Sequence, residues 1–175
     1  MPVLKLIGVP LILEHAKKGL SKALGGHKAT SEVWRICTPL SDGDVTVQKS
    51  KFFKSITEDI DDASKLKTFV QLVSALASAS TVENYHEFFR GIAVECKEAH
   101  GFNHRGTKVK IFELKRLRQK ERLYFFPLSA KGMRFFIVLL AHHKKDETTP
   151  KNVANYCEAQ AIQFIDAGEK IYIQE

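Results

Sequence analysis

The sequence predicts an α+β protein. Residues 52–96 carry apolar side chains at helical spacing, residues 109–143 carry three strand patterns in close succession, and Pro150 opens another helical stripe after them. The chain thus carries both helical and strand patterns, with the strands at 109–143 arriving close together. With 175 residues, 44% of them hydrophobic, the chain is long enough to bury a substantial core.

The elements follow in order. Residues 3–7 alternate weakly, as a short strand does. From Pro10, Leu13, Ala16, Leu20 and Leu24 recur at helical spacing with Lys17, Lys18 and Lys22 off the stripe, and Gly25-Gly26 supplies a stop. The stripe is narrow, which favours packing on a core over lying on a membrane surface. Strand-forming residues at 33–37 and 45–47 flank Asp42-Gly43 and predict a hairpin, with Trp34 in the core. Phe52, Phe53, Ile56 and Ile60 then mark one helix, and Leu66, Phe69, Val70, Val73, Leu76 and Ala77 a second, antiparallel to it. Asp61-Asp62 stand where a helix start wants a cap and negative charge. Ser80 with Glu83 has the form of a capping box. It predicts a third helix through Tyr85, Phe88, Phe89, Ile92 and Cys96, ended by Gly101, with 100–106 as a loop. Strands are expected over 109–115, 118–126 and 134–143, the last two joined by a hairpin loop at 127–132. Thr149 caps and Pro150 opens a final helix with Val153, Cys157, Ala161, Phe164 and Ile165 facing inward. Gly168 ends it, and 170–175 alternates like one more strand.

Several classes are disfavoured. No stretch approaches the roughly 18–20 apolar residues that span a bilayer, and the apolar start is broken by Lys5 and Pro10 without a small-residue cleavage site, unlike a signal peptide. Cys37, Cys96 and Cys157 are widely spaced, form no CxxC pair and suit a reducing cytoplasm. The acidic run Glu58-Asp59-Asp61-Asp62 lacks the glycine and alternation of a calcium loop and is expected to be a solvated helix end. His86, His100 and His104 lack the partners that a metal site needs, so no metal is expected.

Charge is concentrated instead. From Arg105 to Lys145 there are twelve Lys or Arg against two Glu, a balance of +10; the whole chain is +7, so everything else sums to −3. Local basicity of this kind points to a polyanion. In a strand over 118–126, Arg118, Lys120, Arg122 and Tyr124 share one face, and Gln119, Glu121, Leu123 and Phe125 the other. Three cations and a phenol cannot make an apolar core, so that face is expected to meet water, an acidic partner or phosphate. FFIVLL at 135–140 is apolar on both faces, as a central covered strand is. It ends in His142-His143, which point opposite ways in a regular strand, so only one joins the cationic face. Lys and Arg neutralise phosphates with counterion release, and Tyr124 offers a surface for stacking a base. Cleaving RNA at such a site needs no metal in principle. It needs a base for the ribose 2′-OH proton, cations for the phosphate and an acid for the departing oxygen. His142 or His143 can exchange protons near neutral pH, and Lys115 or Lys120 can do so if crowded by other cations. The alternative is a solvated basic face with structural histidines.

FELK at 112–115, ERLYFFP at 121–127 and FFIVLLAHHKKDETTP at 135–150, followed by a helix, resemble the RelE/HigB-type toxins. Lys144-Lys145 with Thr149-Pro150 match that family's KKxxxTP element, Arg122 matches the arginine of its second motif strand, and VTVQKSKFFKSI at 45–56 is similar to its first strand and helix. Lys115 stands where the family usually has arginine, and Glu121 where it has tyrosine. The resemblance implies a twisted, mainly antiparallel sheet with helices packed on it, over a domain at 44–175. Residues 1–43 are then an N-terminal extension. It further implies a cytoplasmic, cofactor-free and metal-independent endoribonuclease that cuts messenger RNA, at the ribosome, and is neutralised by a cognate antitoxin. Although His142-His143 stand where the family often has a small residue and an aromatic, the strand chemistry above and the resemblance together make His142, His143, Lys120 and Arg122 the catalytic candidates, and Lys115, Arg116, Arg118, Tyr124, Lys144 and Lys145 the RNA-binding ones. The alternative on the same scaffold is a non-catalytic nucleic-acid-binding regulator or an interaction protein.

Overall fold

The strand at Met133–His143 lies in the middle of the molecule. A computed structural model describes residues 1–17, 32–41, 44, 46–146 and 148–175. In chain order the elements are β1 (Val3–Leu6), α1 (Val9–Lys17), β2 (Arg35–Leu40), α2 (Lys51–Asp59), α3 (Ala63–Ala79), α4 (Tyr85–Arg90), β3 (Val94–His104), β4 (Thr107–Arg116), β5 (Glu121–Ala130), β6 (Met133–His143), α5 (Lys151–Ala167) and β7 (Tyr172–Gln174). The strands form one sheet in the order β3-β4-β5-β6-β2-β1-β7. Pairing is antiparallel except for β2 with β6 and β1 with β7, so the α+β sheet is mixed but mostly antiparallel.

As its composition predicts, β6 is central: residues 135–139 are completely buried. Phe136 and Val138 pack under α1–α4 with Phe52, Phe53 and Phe69, while Phe135, Ile137 and Leu139 pack under α5 with Val153, Cys157, Ala161 and Phe164. The described residues of 1–41 are woven into this architecture, since β1 and β2 extend the sheet beyond β6 and α1 packs against α2 and α3.

Strand β2 pairs with β6 only from Arg35↔Phe135 to Cys37↔Ile137. Beyond that point α2 takes over the edge of β6. The Ser55 hydroxyl accepts from the Ala141 N–H at 2.9 Å, and one turn later the Asp59 carboxylate accepts from the His143 N–H at 2.9 Å. Four helical residues rise about 6 Å and two strand residues about 6.6 Å, so an i, i+4 pair on a helix matches alternate N–H groups on a strand edge.

Sequence expectations hold for β1, α2, α3, α5 and β7, with Asp62 capping α3 by accepting from Lys65 N and Gly168 ending α5 at φ 51°. Others are corrected. Residues 80–100 do not form one helix: Ser80 closes α3, Asn84 caps the short α4 through Glu87 N, and Val94 begins an eleven-residue strand. That strand absorbs the expected loop at 100–106, leaving a two-residue turn at Arg105-Gly106, both at positive φ. Lys131-Gly132 makes a second such turn, so β5 runs to Ala130 through Pro127. This proline is tolerated because β5 pairs with β4 only over Leu123–Phe125 and has no β4 partner at 127. The expected strand at 45–47 is not formed where it is described, since Val47–Lys49 is a single 3₁₀ turn leading to the Ser50 cap of α2. Leu20, Leu24, Gly25-Gly26 and Asp42-Gly43 lie outside the described residues. The final helix starts one residue late, with Pro150 as its cap and the Thr149 hydroxyl donating instead to the Ala99 carbonyl.

Candidate nucleic-acid interface

Strand β4 ends at Arg116 and β5 begins at Glu121, so the segment Leu117, Arg118, Gln119 and Lys120 is a turn and not the start of a strand. Arg118 sits at φ 66°, a left-handed conformation that projects it out of the sheet register. Beside this turn passes the segment between β6 and α5. Together they enclose a pocket of about 610 Å³ lined by Lys115, Arg116, Leu117, Arg118, Gln119, Lys120, Arg122, Lys144, Lys145 and Asp146. Seven of these are cations, and among the described lining residues Asp146 is the sole carboxylate.

The floor of the pocket is rigid. Arg122 and Lys144 are buried and share the buried Glu113: Arg122 Nε lies 3.7 Å and Lys144 Nζ 3.4 Å from Glu113 Oε2. From this position Arg122 Nη1 donates to the carbonyls of Gln119 and Glu121 at 2.8 and 2.9 Å, and the Lys144 N–H donates to the Lys120 carbonyl at 2.7 Å. The Arg122 guanidinium and the Lys144 backbone therefore hold the turn from below, while Arg118, Lys120 and Lys145 are exposed at the rim with Lys115 and Arg116 half-buried. Arg116 Nη1 also donates to Gln71 of α3. Leu117 stands out at 80% exposure on the tip of the turn.

The expected solvent face of Arg118, Lys120, Arg122 and Tyr124 is thus corrected. Only Arg118 and Lys120 meet water, and they do so from the turn. Tyr124 is fully buried among side chains of β6 and α5, and offers no surface for a base. Burial first, and the Glu113 charge second, push its phenol well above the usual range. Two facts invisible in the residue types of one strand produce this result: α5 covers the face, and Glu113 on β4 neutralises the cations beneath it.

The histidines lie apart from the basic pocket. His142 is opposite Arg122 in the β5–β6 register, so it shares the face of Arg122 and Tyr124. Its Nδ1 is 2.7 Å from Asp59 Oδ2, the same oxygen that accepts from His143 N. His142 lines a neighbouring cavity of about 350 Å³ with Lys51, Lys54, Glu58, Asp59 and Asn152. His143 takes the opposite face, across from Glu121, with Nδ1 3.8 Å from Glu121 Oε1, beyond hydrogen-bonding distance. Structure therefore brings Lys115, Arg116, Arg118, Lys120, Arg122, Lys144 and Lys145 together and leaves His142, His143 and Tyr124 out. Asp59, which the acidic run suggests is a solvated helix end, instead joins α2 to the end of β6. Its i, i+4 spacing from Ser55 is the signal that marks both as facing one surface.

Two further histidines clamp the β3–β4 hairpin to α5: His100 Nε2 lies 2.8 Å from Glu158 Oε2, and His104 Nε2 2.7 Å from Asp166 Oδ1. Among the described residues no group of three His, Cys, Asp or Glu is placed to hold a metal ion, and no helix is long and apolar enough to cross a membrane. No family model matches the chain, and no curated protein or solved structure matches it either.

Proposed function

We propose that this chain is a RelE/HigB-like RNA-directed protein that grips the ribose-phosphate backbone in the basic pocket, acts on messenger RNA at the ribosome in the cytoplasm and is held in check by a cognate antitoxin. One observation supports the RNA grip above all others: seven Lys or Arg converge on one pocket against a single lining carboxylate. A solvated surface spreads its cations apart, whereas here Arg122 and Lys144 are buried against Glu113 beneath the turn and the other five crowd its rim. Phosphate neutralisation by such a set is independent of sequence and favours a single, deformable strand. The assignment of messenger RNA, ribosome and antitoxin rests on the motifs at 112–150, and the RelE-like core does as well. Cleavage is metal-independent in this scheme, with the pocket cations stabilising the crowded phosphate.

A second reading, a non-catalytic RNA-binding regulator on the same scaffold, is favoured by the placement of both histidines outside the pocket. The experiment that separates them compares wild type with an Arg118→Ala/Lys120→Ala/Lys145→Ala variant, incubated with translating ribosomes. Messenger RNA cut by the wild type and left intact by the variant is the expected result. Intact RNA with both, alongside RNA affinity in the wild type alone, selects the regulator. Equal RNA affinity in both proteins overturns the pocket as the RNA site.

A further inference from the structure

We propose that Asp59 is a positioning residue for His142, and that the cavity they share with Lys51, Lys54 and Asn152 receives the ribose-phosphate unit next to those held in the basic pocket. This deepens the RNA-cleaving reading and rests on it. An ionised carboxylate only accepts hydrogen bonds, so at 2.7 Å from Asp59 Oδ2 the His142 Nδ1 must carry the proton. Nε2 is then the ring nitrogen left to meet a ligand. The same Asp59 oxygen is fixed by the His143 N–H, and α2 is pinned one turn earlier where Ser55 accepts from Ala141. Carboxylate, tautomer and ring are consequently held by the backbone of β6. That is the arrangement by which a third group orients a general base.

The surroundings suit a phosphodiester. Lys51 and Lys54 are exposed, lie three residues apart on α2 and line the cavity with Asn152 at the start of α5. Glu58 is the opposing charge, while the Asp59 charge is engaged by two hydrogen bonds. His142 precedes Lys144 of the basic pocket by two residues, about 6.6 Å of extended chain, so one RNA strand can reach both. In the reaction His142 Nε2 takes the ribose 2′-OH proton while the 2′ oxygen bonds to phosphorus. The bond from phosphorus to the 5′ oxygen breaks, and that oxygen takes a proton from the Lys54 ammonium, leaving a cyclic phosphate and a 5′-hydroxyl.

The test combines ¹⁵N spectra of the histidine rings with RNA binding and cleavage on the full chain. In the wild type His142 is expected to show the Nδ1–H tautomer, and inorganic phosphate is expected to shift Nε2. Lys51→Ala/Lys54→Ala should abolish that shift. Asp59→Asn should mix the tautomers and lower cleavage by about a hundredfold or more. Should Asp59→Asn unfold the protein, His142→Gln replaces it and must lower cleavage as far. A tautomer unmoved by Asp59→Asn, or no phosphate shift at wild-type Nε2, overturns the proposal. Wild type that binds RNA without cutting it ends the cleavage reading, and the ring spectra then still decide whether Asp59 positions His142 at a phosphate site.

Discussion

Glu113 balances two buried cations, and its loss is the most consequential single change near the pocket. Removing one partner of a buried ion cluster leaves uncompensated charge, a cost of about 3–5 kcal/mol. Glu113→Gln should lower the free energy of urea unfolding by that amount, and a loss below about 1 kcal/mol would show that Arg122 and Lys144 find other partners. Tyr124→Phe should behave in the opposite way. Its hydroxyl is buried without a well-formed hydrogen bond among the described residues, because the Glu113 carboxylate beside it is shared by Arg122 and Lys144. Deleting an unsatisfied polar group is near neutral or stabilising. Unfolding and RNA binding by Tyr124→Phe should therefore match wild type or better; weaker RNA binding would return the phenol to the interface. Residue types alone could not reveal either role, because Glu113 and Tyr124 acquire them from neighbours on other elements.

At the scale of elements, two docking arrangements depend on matched spacing. Where α2 covers the edge of β6, Ser55→Ala leaves the buried Ala141 N–H unpaired, a cost of about 1–3 kcal/mol. Hydrogen exchange should show the Ala141 amide losing protection, and unchanged protection would mean that α2 does not seal this edge. Where the β3–β4 hairpin meets α5, His100 and His104 are four strand residues apart, about 13 Å, and Glu158 and Asp166 eight helical residues apart, about 12 Å. The Asp166 carboxyl is held below its usual range by the hydrogen bond from His104 first and by the Arg105 and His104 charges. A depressed carboxyl adds stability that is fully present above its unfolded value, about 3.9, and is lost as pH falls through the lower folded value. Acid titration of the melting temperature should show this loss in the wild type, and Asp166→Asn should remove it; parallel acid profiles would sever the clamp from stability. Strand β3 shows no clear period in the sequence because its inward positions are few and the register shifts between Glu98 and His100: Val94 and Cys96 pack on one cluster, Ala99 and Phe102 on the other. An edge strand with few buried positions has little hydrophobic period to display. By contrast β6 and α5 were legible, since burial on both faces of the one and a closing glycine on the other write directly into residue type.

For the whole molecule, the segregation of charge carries the functional account. The excess of cations over 105–145 was plain in the sequence, and so was its suitability for a polyanion. The shape that collects it was not: the pocket depends on a turn where a strand was expected, on Arg118 in a left-handed conformation, and on Lys144 folding beneath Lys120. Alternation along the strand allows only one of the two histidines to join the cationic face, and neither lines the basic pocket: His142 turns to the cavity beside α2 and His143 toward Glu121. The most direct test of the central claim is the salt dependence of single-stranded RNA binding. Each phosphate contact contributes about 0.7 to the slope of log affinity against log salt. The wild type should bind with a steep slope, and Arg118→Ala/Lys120→Ala/Lys145→Ala should reduce it by about 2 for three lost contacts. Identical slopes for the two proteins would contradict the assignment of the basic pocket to RNA.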